Sequence, residues 1–236
     1  MAGLGSRFAK EGYEKPKPFI DVNGKPMIVR VLDNLDYPNA NYILIGRKEH
    51  LEQEKGIVAQ IEKDYNVTFI GIDKLTEGTL CTVLYSRKYI NSETALLVAN
   101  SDQIINSSIV NFINDCFERN LDGSILTFRD EELNPKWSFA KLDDNNLVTE
   151  VKEKEAISEF ATVGIYLFSK GNTFINAAID MIIENDRVNN EFYTCPVYNY
   201  LINEGLKIGV YEIAESAMNG IGTPKDLEKY VEKFNS

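Results

Sequence analysis

Between residues 42 and 99 the chain alternates short β-rich apolar runs with stretches of helical spacing. Tyr42–Gly46, Val67–Ile72 and Ala95–Ala99 read as strands, and Lys48–Tyr65 and Thr79–Ile90 as helices. Strands that alternate with helices close most simply as parallel strands, each helix crossing a face of the sheet. This order restricts the fold more than any single residue does. It predicts an α/β chain with a Rossmann-like mixed, mainly parallel sheet flanked by helices. Ahead of it, Pro26 stands at a first helical turn, and Met27, Ile28, Val31, Leu32 and Leu35 share one apolar face that should pack on the sheet.

Ser107–Asn120 reads as the next helix and Gly123–Arg129 as the next strand. Shorter strands follow at Ser138–Asp143, Leu147–Lys152 and Ala161–Phe168, the first two joined by the hairpin signal Asp143-Asp144-Asn145-Asn146. Helices return at Asn172–Asn185 and about Phe192–Asn203, then a strand at Lys207–Ile213 and a terminal helix from Pro224. The expectation is one domain over residues 1–236, whose second part, 131–236, adds a smaller, partly antiparallel lobe and the C-terminal helix. Open sheets of this kind bind ligands at the carboxyl ends of their strands.

The chain opens Met1-Ala2-Gly3-Leu4-Gly5-Ser6-Arg7, and Lys17 follows ten residues after Arg7 inside Lys15-Pro16-Lys17-Pro18-Phe19. Two glycines let a turn come close to a polyphosphate, while Ser6, Arg7 and Lys17 supply a hydroxyl and two cations. Gly-x-Gly alone is equally a tight surface turn, and Lys17 alone a solvated loop lysine. The formal net charge of -11 over 236 residues sharpens the reading, because these cations do not belong to a general basic surface. The same charge argues against broad binding to nucleic acid or an anionic membrane. Cys81, Cys116 and Cys195 are odd in number and widely spaced, which supports neither a disulfide framework nor a zinc site. No apolar run spans a bilayer and no signal-peptide pattern begins the chain, so the expected location is the cytoplasm.

Asn100-Ser101-Asp102-Gln103 follows directly on the strand Ala95–Ala99. A carboxylate there can hold a Mg²⁺ that bridges nucleotide phosphates, or form an Asx turn before the next helix. Asp73, Thr76, Glu77, Gly78 and Thr79 lie between a strand and a helix, where short polar groups either meet the edge of a base or simply start the helix. Glu153-Lys154 ends a strand, so Lys154 either meets a second phosphate or belongs to a solvated charge run. Asn189-Asn190-Glu191-Phe192-Tyr193 stands at a helix start, as part of an acceptor pocket or as a cap. Tyr193, Tyr198 and Tyr200 read as packing residues. His50, the only histidine, has no Ser, Cys or Asp constellation and receives no catalytic role.

Taken in order, Gly3-Leu4-Gly5-Ser6-Arg7, Lys17-Pro18, Asp102, Glu153-Lys154 and Gly222-Thr223-Pro224 resemble the nucleotidyltransferases of the sugar-phosphate pyrophosphorylase type. The resemblance runs over nearly the whole chain. It implies attack of a substrate phosphate on the α-phosphorus of an NTP, with Mg²⁺ as cofactor and pyrophosphate as leaving group. Residues 1–130 would be the nucleotide-binding part and 131–236 the acceptor-binding part. By that likeness Ala2, Gly3, Leu4, Gly5, Ser6 and Arg7 cradle the triphosphate, Lys17 stabilises the transition state, Asp102 holds the metal, and Ser101 binds the nucleotide. Asp73, Thr76, Gly78 and Thr79 would meet the nucleotide, and Gln103, Glu153, Lys154, Gly164 and Glu191 the acceptor. A homo-oligomer is compatible with the family.

Three departures from the family's pattern stand out. Its members carry a buried strand just before the glycine loop, and nothing ahead of Met1 is there to form it: either the sequence starts at an internal methionine or the sheet lacks a central strand, which would be costly. The second metal-binding Asp, expected two residues before Gly222, is Gly220, leaving Asp102 alone or with help from Asn219 or Glu212. The Pro that usually follows Glu-Lys is Glu155, and the usual Tyr-Gly is Trp137-Ser138. These last changes fall on the acceptor side. Lys136–Leu142 and Asn190–Asn199 look like a branch of the family from capsule and surface-polysaccharide gene sets, which favours CTP and a small phosphorylated acceptor such as phosphoglutamine. A sugar-1-phosphate uridylyl- or thymidylyltransferase is the alternative within the class. A catalytically silent nucleotide-binding subunit is the alternative outside it, against which the joint presence of Arg7, Lys17 and Asp102 weighs.

Overall fold

The computed structural model describes residues 1–235. In chain order its elements are α1 (Ser6–Lys10), β1 (Asp21–Val22), β2 (Lys25–Pro26), α2 (Met27–Asn34), β3 (Tyr42–Arg47), α3 (Lys48–Gln53), α4 (Lys55–Asp64) and β4 (Val67–Ile72). Then come α5 (Thr79–Val83), α6 (Arg87–Ile90), β5 (Leu96–Ala99), β6 (Gln103–Ile105), α7 (Ile109–Glu118), β7 (Gly123–Arg129), β8 (Ser138–Leu142) and β9 (Val148–Glu153). The remainder are β10 (Phe160–Phe168), α8 (Gly171–Ile183), α9 (Val197–Asn203), β11 (Ile208–Glu212), β12 (Met218–Gly220) and α10 (Pro224–Asn235). The chain divides into two compact units, each assembled from separated stretches. Among the described residues no helix is long and apolar enough to cross a membrane.

The first unit comprises residues 1–75, 100–109 and 218 onward. In it β3 and β4 pair in parallel, as the strand–helix–strand pattern predicts. The single helix expected over Lys48–Tyr65 breaks at Glu54, whose backbone leaves helical values just before Lys55-Gly56, a point of weak helix propensity. Helix α2 buries Met27, Ile28, Val31 and Leu32, the face that the sequence spacing marks. Its last residue has a second use. Asn34 donates from its amide nitrogen to the carbonyl of Ile105 at 2.7 Å and accepts from the Ile105 N–H at 2.8 Å. The side chain thereby pairs with β6 as a neighbouring strand would, and β6 pairs on with β12, Gly220 opposite Gln103.

The second unit, residues 76–99 and 110–217, carries a mixed sheet in the order β11-β7-β10-β8-β9, with β5 on β10. β11 runs parallel to β7, whereas β10 is antiparallel to β5, β7 and β8. The antiparallel share is larger than the helix–strand alternation suggests, because β5 finds its partner in β10, about seventy residues on, rather than in the preceding strand of the pattern. Helix is interrupted between α5 and α6, where the Ser86 hydroxyl bonds the Val83 carbonyl at 2.6 Å and tightens one turn. The core lies between β10 and helices α8 and α9. There Phe168 stacks on Tyr198 with ring centroids 4.6 Å apart and meets Phe174 at 4.8 Å. The buried Tyr198 hydroxyl lies 2.9 Å from the Leu167 carbonyl, which accepts its proton. Asn199 on α9 repeats the device of Asn34: its side chain accepts from the Val151 N–H and donates to the Val151 carbonyl, both at 2.9 Å, and so fixes β9.

Candidate active site

In the first unit the glycine loop runs into the five-residue α1. Gly5 is left-handed, with φ 63°, and a Cβ there would meet the Lys17 Cβ at 3.2 Å, so glycine lets the loop lie against the lysine stem. A Cβ on Gly3 would meet nothing within 4 Å. Leu4, Ser6 and Arg7 are exposed, Ala2 is half-buried, and Phe8 turns inward and is buried. The Lys17 ammonium lies 5.8 Å from the Phe8 ring centroid. It donates to Asp102 Oδ2 at 2.5 Å, joining two residues 85 positions apart. Ser101 and Asp102 form the turn between β5 and β6. Behind the pair runs Gly222, where a Cβ would fall 2.8 Å from Asp102 Oδ2 and 3.6 Å from Lys17 Nζ. Only a glycine leaves the carboxylate in place. Thr223 caps α10, its hydroxyl bonding Asp226 at 2.6 Å and accepting from the Asp226 N–H at 3.2 Å, which anchors the Gly222 turn.

The Gln103 side chain is buried beside Gly220, and its Nε2 has no hydrogen-bond partner among the described residues. A Cβ on Gly220 would stand 3.8 Å from Gln103 Oε1. Of the helpers considered for Asp102, Asn219 accepts from Lys233 at 3.1 Å, and Glu212, in the second unit, accepts from Arg129 at 3.0 Å. Among the described residues no group of three His, Cys, Asp or Glu side chains could hold a metal on its own. Asp73 is exposed, 3.8 Å from Lys48 Nζ.

In the second unit the segment 76–80 is joined to the segment 191–194. The Phe192 N–H donates to the Glu77 carbonyl at 2.7 Å and the Phe192 carbonyl accepts from Leu80 at 3.0 Å. Gly78, with φ 118°, passes so close that a Cβ would lie 2.2 Å from the Phe192 oxygen. Thr76 bonds Thr82 at 2.5 Å, and Thr79 lies 3.3 Å from Thr194, hydroxyl to hydroxyl. Arg187 covers the Phe192 ring at 4.0 Å and pairs with Glu77 at 2.5 Å. Residues 189–193 do not begin a helix. Val188 and Glu191 exchange both backbone hydrogen bonds at 3.0 Å around Asn189 and Asn190, with φ of 50° and 63°. This is a hairpin turn that asparagine tolerates. The backbone groups of Phe192 are then taken by Glu77 and Leu80, and helix α9 starts only after Pro196.

Glu153 ends β9 opposite Ser138, and Lys154 follows it directly. The Lys154 N–H donates to the Trp137 carbonyl at 3.0 Å, and the Ser138 hydroxyl donates to Glu153. The Trp137-Ser138 departure therefore lies opposite Glu153-Lys154 across the β8–β9 register. Lys154 has φ 59° and its ammonium turns to Tyr193, 2.5 Å from the hydroxyl. Tyr193 in turn donates to Glu191 at 2.6 Å. Tyr193 is thus a polar partner and not only a packing residue; its place two residues beyond Glu191 carries no sequence signal of this. Gly164, with φ 85°, sits where the β10–β7 register shifts.

Burial raises the Glu153 carboxyl above its ordinary value of 4.5, against the lowering pull of Ser138 and Lys154. A carboxyl raised in the fold binds its proton more tightly folded than unfolded. Its stabilising share is complete below about pH 4.5 and is lost as pH rises through the raised value. Glu153→Gln is accordingly expected to melt higher than the parent at pH 7–8 and to lose that advantage near pH 4, by thermal denaturation at both pH values. A parent and variant that differ equally at both would refute the ionisation account.

A match to the nucleotidyl transferase family spans residues 1–233. The bifunctional protein GlmU of Methanococcus aeolicus is 26% identical over 234 residues, covering 96% of this chain and 51% of its own. The chain thus spans about half the length of the GlmU relatives it matches. Among solved structures, the nucleoside-diphosphate-sugar pyrophosphorylase of Vibrio cholerae RC9 superposes with a TM-score of 0.84 at 24% identity, covering 98% of each chain. The inositol-1-phosphate CTP transferase of T. maritima gives 0.75 at 13% identity over 99% of this chain and 92% of its own. With the mixed α/β architecture and a family match from the glycine loop into the terminal helix, the chain belongs to the nucleotidyl transferase family.

Proposed function

We propose that the chain is a Mg²⁺-dependent cytidylyltransferase that joins CTP to a small phosphorylated acceptor, phosphoglutamine, as a CTP:phosphoglutamine cytidylyltransferase of capsular phosphoramidate synthesis would. The observation that carries the transfer chemistry is the Lys17–Asp102 pair, closed in by Gly5 and Gly222. An oxygen of the acceptor phosphate attacks the α-phosphorus of the nucleotide. The bond from that phosphorus to the bridging oxygen breaks, and pyrophosphate leaves with the electron pair. No protein nucleophile is needed. Lys17 neutralises charge on the attacked phosphoryl group, where a fixed cation has most effect on rate. Arg7, exposed and without an ion pair among the described residues, suits the leaving pyrophosphate. Gly3 has no packing reason to be glycine, which favours close approach of the phosphates as its reason.

Asp102 would hold a Mg²⁺, an ion commonly bound by one or two protein carboxylates. When bound it neutralises triphosphate charge. Thr76, Gly78 and Thr79 are assigned to the nucleotide base, and Asp73 and Ser101 are counted as further nucleotide-binding residues. Lys154 is assigned to the acceptor phosphate, with Gln103, Glu153, Gly164 and Glu191 as further acceptor residues. The capsule-type acceptor is favoured by the likeness of Lys136–Leu142 and Asn190–Asn199 to the capsule branch of the family. The cytoplasm, where nucleotides and phosphorylated metabolites are available, is the proposed compartment.

The test is pyrophosphate release over a grid of CTP, UTP, dTTP, GTP and ATP against phosphoglutamine and hexose 1-phosphates. Turnover with CTP and phosphoglutamine is expected to exceed every other pair. Turnover confined to UTP or dTTP with hexose phosphates would overturn the cytidylyl reading and favour a sugar-1-phosphate uridylyl- or thymidylyltransferase.

A further inference from the structure

Lys154, Tyr193 and Glu191 form a continuous hydrogen-bonded chain in the second unit. Lys154 Nζ donates to Tyr193 Oη at 2.5 Å, and Tyr193 Oη donates to Glu191 Oε2 at 2.6 Å. A phenol has one proton to give. Directed at Glu191, that proton leaves the oxygen lone pairs of Tyr193 facing the ammonium. The ammonium also lies 4.4 Å from the Tyr193 ring centroid, so ring and hydroxyl hold it together. Each member is fixed by its backbone. Lys154 stands in a left-handed conformation with its N–H on Trp137, Glu191 closes the Asn189-Asn190 turn, and Tyr193 follows directly on Phe192, which is bonded to Glu77 and Leu80.

A free lysine side chain carries about 2 kcal/mol of rotamer entropy, which a ligand that captures it must overcome. A lysine already held loses less on binding. We propose that Tyr193 is a positioning residue for Lys154 and that Glu191 acts through Tyr193, by fixing the direction of its hydroxyl, rather than by touching the acceptor. The proposal rests on the reading of Lys154 as the cation for the acceptor phosphate. It changes the role of Glu191 from pocket lining to the outer member of a relay. It also makes acceptor affinity depend on a tyrosine hydroxyl that meets no substrate.

With CTP and phosphoglutamine as the probe pair, Tyr193→Phe keeps the ring and removes the hydroxyl. It is expected to raise the KM for phosphoglutamine about tenfold, the size of a lost hydrogen bond to a charged group, with kcat and the KM for CTP within about twofold of the parent. Glu191→Gln, on an exposed side chain that keeps an acceptor oxygen, is expected to raise the same KM by a smaller factor. Lys154→Ala is expected to raise it further, and adding Tyr193→Phe to Lys154→Ala to change nothing more. If Tyr193→Phe leaves the phosphoglutamine KM unchanged while Lys154→Ala raises it, the relay fails and the reading of Lys154 stands. The relay also fails if Tyr193→Phe acts undiminished in the Lys154→Ala background. If Lys154→Ala leaves that KM unchanged, the reading of Lys154 fails and takes the relay with it.

Discussion

Lys17→Ala is expected to lower kcat for pyrophosphate release by about 10²–10³-fold, the loss seen when a group aimed at developing charge is removed. The fold should barely notice. The side chains of Lys17 and Asp102 are 22% and 30% exposed, so water screens the pair and its share of stability is at most about 1 kcal/mol. For a chain of this size that is a melting shift of no more than about 4 °C. Lys17→Arg keeps the charge but brings a planar fork to a place where the stem runs against Gly5, and is expected to restore little of the rate. Steady-state kinetics with parallel thermal melts separate the two effects. A kcat for Lys17→Ala within threefold of the parent would remove Lys17 from the chemistry, whatever the nucleotide.

A large effect on stability is expected from Gly78→Ala. At φ 118° an L side chain is strained, and the new Cβ would stand 2.2 Å from the Phe192 oxygen, 2.6 Å from its nitrogen and 2.8 Å from its carbonyl carbon. These are backbone atoms. They cannot retreat without stretching the bonds from Phe192 to Glu77 and from Leu80 to Phe192. Strain and lost hydrogen bonds together should cost about 3 kcal/mol or more, a fall in Tm of roughly 6–12 °C. Gly12→Ala is the matched control. Gly12 is also left-handed, with φ 84°, but a Cβ there would meet nothing within 4 Å, so only the backbone strain of about 1–2 kcal/mol remains. Melts of the two variants side by side would decide the matter: equal losses would mean that the close approach of segments 76–80 and 191–194 contributes nothing.

The longer strands were the most legible part of the fold, because apolar runs such as Val67–Ile72 and Gly123–Arg129 are bounded by turn residues, whereas the two- and three-residue strands β1, β2, β6 and β12 are too short to carry a pattern and were not legible. Helix ends were less so. The break at Glu54 and the tightened turn at Leu84–Ser86 arise from local hydrogen bonding that apolar spacing does not encode. Phe192–Pro196 fails as helix for a longer-range reason, since Phe192 gives its backbone groups to residues more than a hundred positions earlier. In the site, Gly5, Lys17, Asp102 and Gly222 were legible through the family resemblance, and all four meet in the first unit. Gln103 lies beside Gly220 in that unit, where the resemblance alone gave it an acceptor role. Tyr193 was not legible, because an aromatic next to Phe192 at a supposed helix start looks like core. The Asn189-Asn190 pair was the available clue: two residues tolerant of positive φ between Val188 and Glu191 are a hairpin signal, and a hairpin there leaves the following tyrosine outside any helix.

Asn199 has a consequence for association between molecules. β9 is an outer strand of its sheet, and an outer strand presents unpaired N–H and C=O groups to any passing chain. At Val151 both groups are already taken by the Asn199 amide. A side chain supplies one residue's worth of pairing and then stops, so the edge is taken at Val151 without offering a further edge in its place. Helix α9 thus occupies the edge of β9 at Val151 with a single asparagine.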